Sequence, residues 1–303
     1  MKYKKSALSF EEQADLLIRR GLIINNREEL INYLKQVNYY RLSGYWYFFK
    51  LIDPESGEEK FKPDTSMEKI RVRYEFDRDL KMLLMDAIEK IEVCILRTRL
   101  VENISQKYGP FGYTDLKNYS PKFDRRNFYE LMTFIYDNEK ESDKEFIKRY
   151  HNKYDEEIHL PIWMAVELMT FGELLTLYRN QTMDVKREIA SGFDLEATVL
   201  SSWLHTLLYI RNACAHHARL WDRPMSIPPK IPDEKNDPRW HAPVKLSNQN
   251  IFIVLTLTNY LMFYINPAYG WADSMKRLME KYPTLPIKPM GFPSNWQEVP
   301  FWA

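Results

Sequence analysis

Apolar residues recur at steps of three and four along much of the chain, which is the spacing of a helix that buries one face. The clearest run predicts a long helix from Ser66 to about Gln106, closed by Gly109 and Pro110. Its members are Leu80, Leu84, Ile88, Ile91 and Ile95. Near the N-terminus, Ser9 with Glu12 and Asn26 with Glu29 place a carboxylate three residues after a capping side chain, which predicts the starts of two short helices.

Further helices are predicted over residues 124–138, 142–154, 162–180, 194–216 and 247–265. The exception is 45–63, where a turn at 53–57 between apolar stretches predicts a small β-hairpin. Twelve of the 17 prolines follow residue 223, so we expect a Pro-rich loop at 224–243 and a tail extended over the surface. The predicted fold is mostly α: an N-terminal helical region with the hairpin (1–65), a helical bundle (66–265) and a Pro-rich C-terminal tail (266–303).

Composition narrows the classes of function. The 303 residues carry a formal charge of +1, so any nucleic-acid site must be local rather than spread over the surface. Only nine residues are glycine and no glycine-rich phosphate loop is found, so we expect no nucleotide cofactor. Aromatic residues make up 15% of the chain, and such rings fill cores or stack on bases.

Several features predict a cytoplasmic protein. Cys94 and Cys214 are too few for a disulfide framework or a zinc ribbon, and we expect both to be reduced thiols. The N-terminus passes into an acidic stretch without the apolar core of a secretion signal. The longest apolar stretch, Ile251–Ile265, is shorter than the roughly 20 residues that cross a bilayer, so it predicts a buried helix rather than a membrane span.

The segment from Arg211 to Arg223 carries the candidate chemistry, because it contains an adjacent histidine pair, three arginines and an asparagine. On a helix that turns about 100° per residue, the preceding apolar residues form one core stripe. These are Val199, Trp203, Leu207, Ile210 and Cys214. The face away from that stripe would carry His205, Arg211, Asn212, His216 and Arg219, if the helix lasts that far. His217 would fall back at the edge of the stripe, which predicts a core histidine at 217 and a site histidine at 216.

An arginine and a histidine suit metal-free cleavage of RNA. The ribose 2′-OH attacks the adjacent phosphorus, so one proton must leave, another must reach the departing oxygen, and charge builds on the phosphate. Histidine transfers protons near neutral pH, and the guanidinium fork matches phosphate oxygens. Arg211 would therefore hold the phosphate, His216 would transfer protons, and Asn212 would orient the imidazole or bind the same phosphate.

These residues also resemble a known family. Arg211-Asn212-x-x-x-His216 is similar to the R-x4-6-H motif of HEPN ribonucleases, and the string from Arg211 to Arg223 resembles the signature of Abi-type (AbiD/AbiF-like) abortive infection proteins of bacteria. Residues 36–45, 87–93 and 160–164 resemble that family in order and spacing. The resemblance implies an all-α HEPN bundle, a homodimer that joins two motifs, RNA cleavage and a growth-arresting role in phage defence.

The neighbouring residues leave alternatives open. His217 is a core histidine or supports the site, and Arg219 and Arg223 hold the RNA backbone or pair with Asp222 and nearby carboxylates. Glu92 lies at the edge of the long helix's apolar stripe, so it pairs with Arg211 or another site cation, or is a solvated rim residue. His205 is a further candidate for RNA binding. No metal site is expected on His216 and His217, because adjacent helical residues point about 100° apart.

The predicted function is a metal-independent endoribonuclease that cuts single-stranded RNA and leaves a 2′,3′-cyclic phosphate. One site histidine per chain is too few for both an acid and a base, which favours a homodimer. A protein or RNA antitoxin is a further candidate partner. The alternatives are a non-catalytic module that binds RNA or a partner through the same basic helix end, and a metal-dependent hydrolase.

Overall fold

The computed structural model describes residues 2, 6–54 and 57–302. The fold is mostly α with one two-stranded hairpin in that part of the chain, which confirms the predicted fold class. The helices are α1 (Phe10–Arg19), α2 (Arg27–Val37), α3 (Tyr39–Trp46), α4 (Met67–Ile91), α5 (Leu100–Tyr108), α6 (Arg125–Glu141), α7 (Glu145–Lys153), α8 (Ile162–Ala165), α9 (Phe171–Arg179), α10 (Met183–Ser191), α11 (Ala197–Ala215), α12 (Ile251–Ile265) and α13 (Trp271–Lys281); the strands are β1 (Lys50–Ile52) and β2 (Glu59–Phe61).

The predicted N-terminal caps are present. The Ser9 hydroxyl accepts from the Glu12 N–H at 3.1 Å, and the Glu12 carboxylate accepts from the Ser9 N–H at 2.7 Å. The Asn26 side chain caps α2 by accepting from the N–H groups of the two glutamates that follow Arg27. Helix α3 was not predicted; Asn38 opens it with φ +63° and its side chain accepts from the Arg41 N–H at 2.9 Å.

The hairpin is confirmed, with antiparallel pairs Lys50–Phe61, Leu51–Lys60 and Ile52–Glu59. Its turn is closed by the Asp53 N–H donating to the Glu58 carbonyl at 2.9 Å. Residues 55 and 56 of the predicted turn lie outside the described residues.

The long predicted helix is interrupted in its hydrogen bonding. Helix α4 passes into a π-helical segment, Glu92–Arg99, before α5, and Gly109 ends α5 with φ +81° as predicted. The apolar stripe from Leu80 to Ile95 is buried, so the periodicity located the core face correctly.

The prediction of a single continuous helix over 162–180 is wrong, because two helices, α8 and α9, lie there. Helix α8 ends and a 3-10 turn (Val166–Leu168) follows before α9 begins at Phe171. Thr170 and Glu173 form a capping box at this point, with the Thr170 N–H donating to the Glu173 carboxylate at 3.0 Å. The capping box starts a new helix, which the apolar periodicity alone did not distinguish from a continuous one. Helix α10 was also not predicted.

The expectation of an extended tail over the surface is wrong as well. Helix α13 lies in this region, and Met290, Phe292, Trp296, Val299 and Trp302 are buried. The Trp302 indole N–H donates to the Thr256 hydroxyl of α12 at 3.0 Å, and its ring stacks on Phe252. Prolines set the local backbone, but burial of the aromatic residues between them places the tail in the core.

Helix α12 is buried continuously from Ile251 to Thr258, as expected for a core helix. Within the described ranges no single helix is long and apolar enough to cross a membrane. The segments Ile251–Ile265 and Pro267–Lys281 together have a sufficient length and composition, but the chain bends by 119° between them.

The chain forms two compact units. One contains the residues up to Lys81 with Lys276–Pro286, and the other contains Met82–Met275 with the residues from Ile287 onwards. The units do not coincide with the three regions expected from the sequence, which stay a prediction about domain organisation. All the candidate site residues belong to the second unit.

Candidate functional site at the end of helix α11

Helix α11 positions the first candidate residues. Its predicted core stripe is confirmed, since Val199, Trp203, Leu207, Ile210 and Cys214 are all buried. The helix ends at Ala215, next to the predicted end at about His216, and it does not reach Arg219.

The helix ends in a Schellman motif built on the histidine pair. His216 is the C-cap, the His217 N–H donates to the Cys214 carbonyl at 3.0 Å, and the Ala218 N–H donates to the Ala213 carbonyl at 2.8 Å. His217 occupies the left-handed position of this motif, with φ +55°. Glycine is the usual residue there, because a side chain in this conformation costs roughly 1–2 kcal/mol.

The prediction that His217 is a core residue is wrong. Both His216 and His217 are exposed. The helical wheel failed because the backbone reverses at His217, so its side chain no longer follows the 100° step of the preceding turn.

Arg211 and Asn212 lie one turn before the histidines and are half-buried. The Arg211 guanidinium donates through Nη1 to the Asn212 side-chain oxygen at 3.2 Å. This bond fixes the orientation of the amide, since the oxygen must face the cation, and it leaves the amide Nδ2 as a donor toward other groups. The Asn212 backbone carbonyl accepts from the His216 N–H at 2.9 Å, so Asn212 and His216 are neighbours as predicted.

The loop after the histidines is anchored by its apolar residues. Leu220 and Trp221 are buried. Arg219 Nε lies 2.9 Å from a carboxylate oxygen of Asp222, so of the two alternatives for Arg219 the ion pair is the one observed. Arg223 is exposed and its guanidinium lies 5.6 Å from the centroid of the Tyr209 ring.

The expectation that Glu92 pairs with Arg211 or another cation of this site is wrong, because its partner is Arg97. Its carboxylate lies 2.7 Å from Arg97 Nη2, and its side chain is only 16% exposed, which also contradicts a solvated rim residue. Arg97 in turn donates to the backbone carbonyls of Val166 and Met169. The pair lies in the π-helical segment, where the wider turn lets two residues five apart in sequence approach each other.

His205 lies near the middle of α11 and is half-buried beside a surface cavity. Burial, and then the charge of Arg179, lower the pKa of His205 below its ordinary value. His205 is therefore separate from the histidine pair at the helix end, and it belongs to a basic cluster that sequence reasoning did not find. Arg179 and the other cations of this cluster lie on α9, α10 and a loop, and no local pattern links them.

Packing accounts for only part of the segment from Arg211 to Arg223. Ala213, Cys214, Leu220 and Trp221 are buried, and Asp222 pairs with Arg219. Burial and ion pairing do not account for Arg211, Asn212 and His216. His217 occupies a left-handed position where glycine is the usual residue. Polar groups at an exposed helix end and a strained backbone are features that cluster at functional sites. Over the described ranges no three or more His, Cys, Asp or Glu side chains form a group that could hold a metal ion.

Residues 32–222 match a family model described as Abi-like protein. The chain belongs to the Abi-like protein family. The match includes Arg211, Asn212 and both histidines and ends at Asp222, within the segment discussed above. The family suggests that this Abi-like protein acts in abortive infection, the defence of bacteria against phage. Neither a curated protein nor a solved structure matches the chain significantly.

Proposed function

We propose that this Abi-like protein is a metal-independent endoribonuclease of the HEPN type, which cuts single-stranded RNA as a toxin-like effector of abortive infection. The observation that carries the proposal is the exposed His216 at the end of α11, next to an Arg211–Asn212 pair whose amide orientation is fixed. They supply a cation for the phosphate and one of the two proton-transfer groups that cleavage through the ribose 2′-OH requires.

In the proposed reaction the 2′ oxygen forms a bond to the adjacent phosphorus, and the bond from phosphorus to the 5′ oxygen breaks. The 2′-OH loses a proton, the departing 5′ oxygen gains one, and the products are a 2′,3′-cyclic phosphate and a 5′-OH. Arg211 stabilises the charge on the non-bridging oxygens, and Asn212 Nδ2 donates to the same phosphate or to the imidazole. His216 transfers a proton.

Both proton transfers need a group, and a homodimer supplies a second His216. A two-fold axis close to the end of α11 would bring the two motifs to one phosphate. The exposure of His216 supports this arrangement, because the side chain is accessible to a second copy. A protein or RNA antitoxin that keeps the enzyme silent would act on the same exposed surface.

Incubation of labelled RNA with the purified protein in excess EDTA, followed by end-group analysis, tests the reaction. We expect cyclic-phosphate ends, and His216→Ala should lower kcat by about 10²–10⁴ while RNA affinity is retained. His159→Ala, at another exposed histidine, is the matched control and should cleave normally. Activity that chelator removes would instead indicate a metal-dependent hydrolase. RNA bound but never cut by the wild type would indicate a binding module.

A further inference from the structure

A second basic feature lies on the same unit, at a cavity of about 330 Å³ beside the N-terminal half of α11. Its lining includes Arg179 at the end of α9, Lys186 on α10, His205 on α11 and Lys230 on the following loop. Thr198, Ser201 and Ser202 of α11 also line the cavity. Four basic side chains and several hydroxyls are the usual composition of a site that binds a phosphate.

The positive charge of the cavity is not neutralised by the protein. Among the described residues no carboxylate oxygen lies within 4.0 Å of Arg179, Lys186, His205 or Lys230. Glu196, the acidic residue that immediately precedes α11, accepts hydrogen bonds from Asn236 and from the Thr198 hydroxyl instead.

The cations are held in place by the backbone around them. Lys186 Nζ donates to the Arg179 backbone carbonyl at 2.9 Å. The Lys230 N–H donates to the Ser202 hydroxyl at 2.9 Å, and its carbonyl accepts from the Trp203 indole at 2.7 Å. These bonds fix the Lys230 backbone against α11, and the exposed side chain of this lysine lines the cavity.

The cluster carries an electrostatic cost in the absence of an anion. The pKa values of Lys186 and His205 are both lowered, first by burial and then by the charge of Arg179. Arg179 is therefore close enough to repel both Lys186 and His205 in their charged forms. The first residues of α10 and α11 also line the cavity, so the positive ends of two helices add to the same potential.

The cavity and the motif lie along one face of α11. His205 and Asn212 are seven residues apart, which is two helical turns, and His216 lies about 16 Å further along the axis than His205. Tyr209 lies between His205 and His216 along the helix. Its hydroxyl donates to the Ser226 hydroxyl at 3.2 Å, and its ring lies under the Arg223 guanidinium. Proteins that bind single-stranded RNA combine aromatic rings, on which bases stack, with basic side chains that contact the backbone, and Tyr209 and its basic neighbours have this composition.

We infer that the cavity formed by Arg179, Lys186, His205 and Lys230 binds a phosphate group several nucleotides away from the bond that is cut, and that the RNA backbone is the source of this phosphate. The inference rests on the proposed function for the identity of the ligand, but the phosphate site itself does not. A free nucleotide carries the same chemistry, and the experiment distinguishes the two sources.

Fluorescence anisotropy with a labelled single-stranded oligoribonucleotide tests the site, in a His216→Ala background that prevents cleavage. We expect Lys186→Gln and Lys230→Gln each to weaken binding about tenfold, the usual effect of losing a charge-assisted hydrogen bond. Each should also reduce the slope of log K against log[salt] by about 0.7, the contribution of one phosphate on a single strand. Lys140→Gln, an exposed lysine outside the cavity, is the matched control and should change neither quantity.

The NMR signal of His205 reports on the site directly. Because a bound phosphate favours the imidazolium, RNA should raise the pKa of His205, and Lys230→Gln should reduce that rise. The glutamine variants should keep the circular dichroism spectrum of the parent, which separates a binding defect from misfolding. Unchanged RNA affinity and salt slope in both folded variants, with no response of His205, would overturn the inference.

ATP serves as the second probe. If ATP binds more tightly than the oligoribonucleotide and loses affinity in the same two variants, the phosphate site stands but its source is a free nucleotide. Because none of these measurements requires cleavage, a wild type that binds RNA through the cavity but never cuts it would contradict the proposed nuclease and support the site.

Discussion

The left-handed backbone at His217 gives a quantitative prediction about stability. A side chain at φ +55° costs roughly 1–2 kcal/mol, and glycine avoids this cost but loses roughly 0.5–1 kcal/mol more backbone entropy on folding. The His217 side chain is exposed, so its removal sacrifices little buried area. His217→Gly is therefore expected to increase the free energy of unfolding by roughly 0.5–1 kcal/mol.

The preceding residue provides the matched control. His216 is also exposed but has φ −87°, where glycine has no steric advantage. His216→Gly should lower the free energy of unfolding by roughly 0.5–1 kcal/mol, because only the entropy of the unfolded chain changes. Urea unfolding followed by circular dichroism, at one pH for all the proteins, measures the two shifts in the free energy of unfolding. If both glycine variants are destabilised equally, the backbone of His217 carries no strain and the reasoning is wrong.

RNA cleavage by His217→Gly and by a second variant, His217→Asn, tests whether the imidazole of His217 takes part in the reaction. Asparagine tolerates the left-handed conformation, so His217→Asn keeps the backbone and removes the imidazole. We expect both His217→Gly and His217→Asn to cut RNA more slowly than the wild type, although the glycine variant is the more stable protein. Wild-type cleavage rates in both would mean that the imidazole of His217 is dispensable and that His216 acts without it.

Three further changes test other parts of the second unit. Because the folded pKa of His205 lies below its unfolded value, the unfolded state binds more protons, and stability should fall as the pH drops below about 6.5. His205→Gln should flatten this part of a pH series of urea midpoints, and an unchanged slope would contradict the lowered pKa. Arg219→Gln leaves the buried carboxylate of Asp222 without its guanidinium, and a double-mutant cycle with Asp222→Asn should give a coupling energy of about 1–2 kcal/mol in urea unfolding, whereas a value near zero would mean that the ion pair does not stabilise the loop. Trp302→Ala should cost about 3–5 kcal/mol, and Trp163→Ala, at an exposed tryptophan, less than about 0.5 kcal/mol; similar urea midpoints for the two would contradict a core role for the tail.

Local signals were sufficient for those elements whose limits are set by nearby residues. The capping box at Ser9, the buried stripe that begins at Leu80 and the end of α5 at Gly109 each depend on residues within a few positions of one another. Helix periodicity and capping are short-range effects, so a single sequence reveals them. The same reasoning located the buried face of α11.

Elements whose limits depend on distant residues were predicted badly. The tail follows a run of prolines, yet Trp302 is buried against Phe252 and Thr256 of α12. No window of sequence contains both partners, so the proline pattern indicated an extended surface segment. In the same way, Glu92 pairs with Arg97 only because the helix widens to a π turn, which the regular wheel did not anticipate.

The candidate site shows both cases at once. The motif residues Arg211, Asn212 and His216 were found because they are close in sequence, and whether they act as a nuclease stays a prediction. The end of the helix was predicted at about His216, and α11 ends at Ala215. The reversal of the backbone at His217 was not predicted, because the chain has no glycine there; buried Leu220 and Trp221 follow that point. A histidine in the place of that glycine is a departure from the local rule, and such departures are expected at functional sites. The backbone strain at His217 is therefore an argument for function that does not depend on the resemblance of the motif to a known family. The stability of the glycine variants tests the strain, and RNA cleavage by the His217 variants tests its link to function.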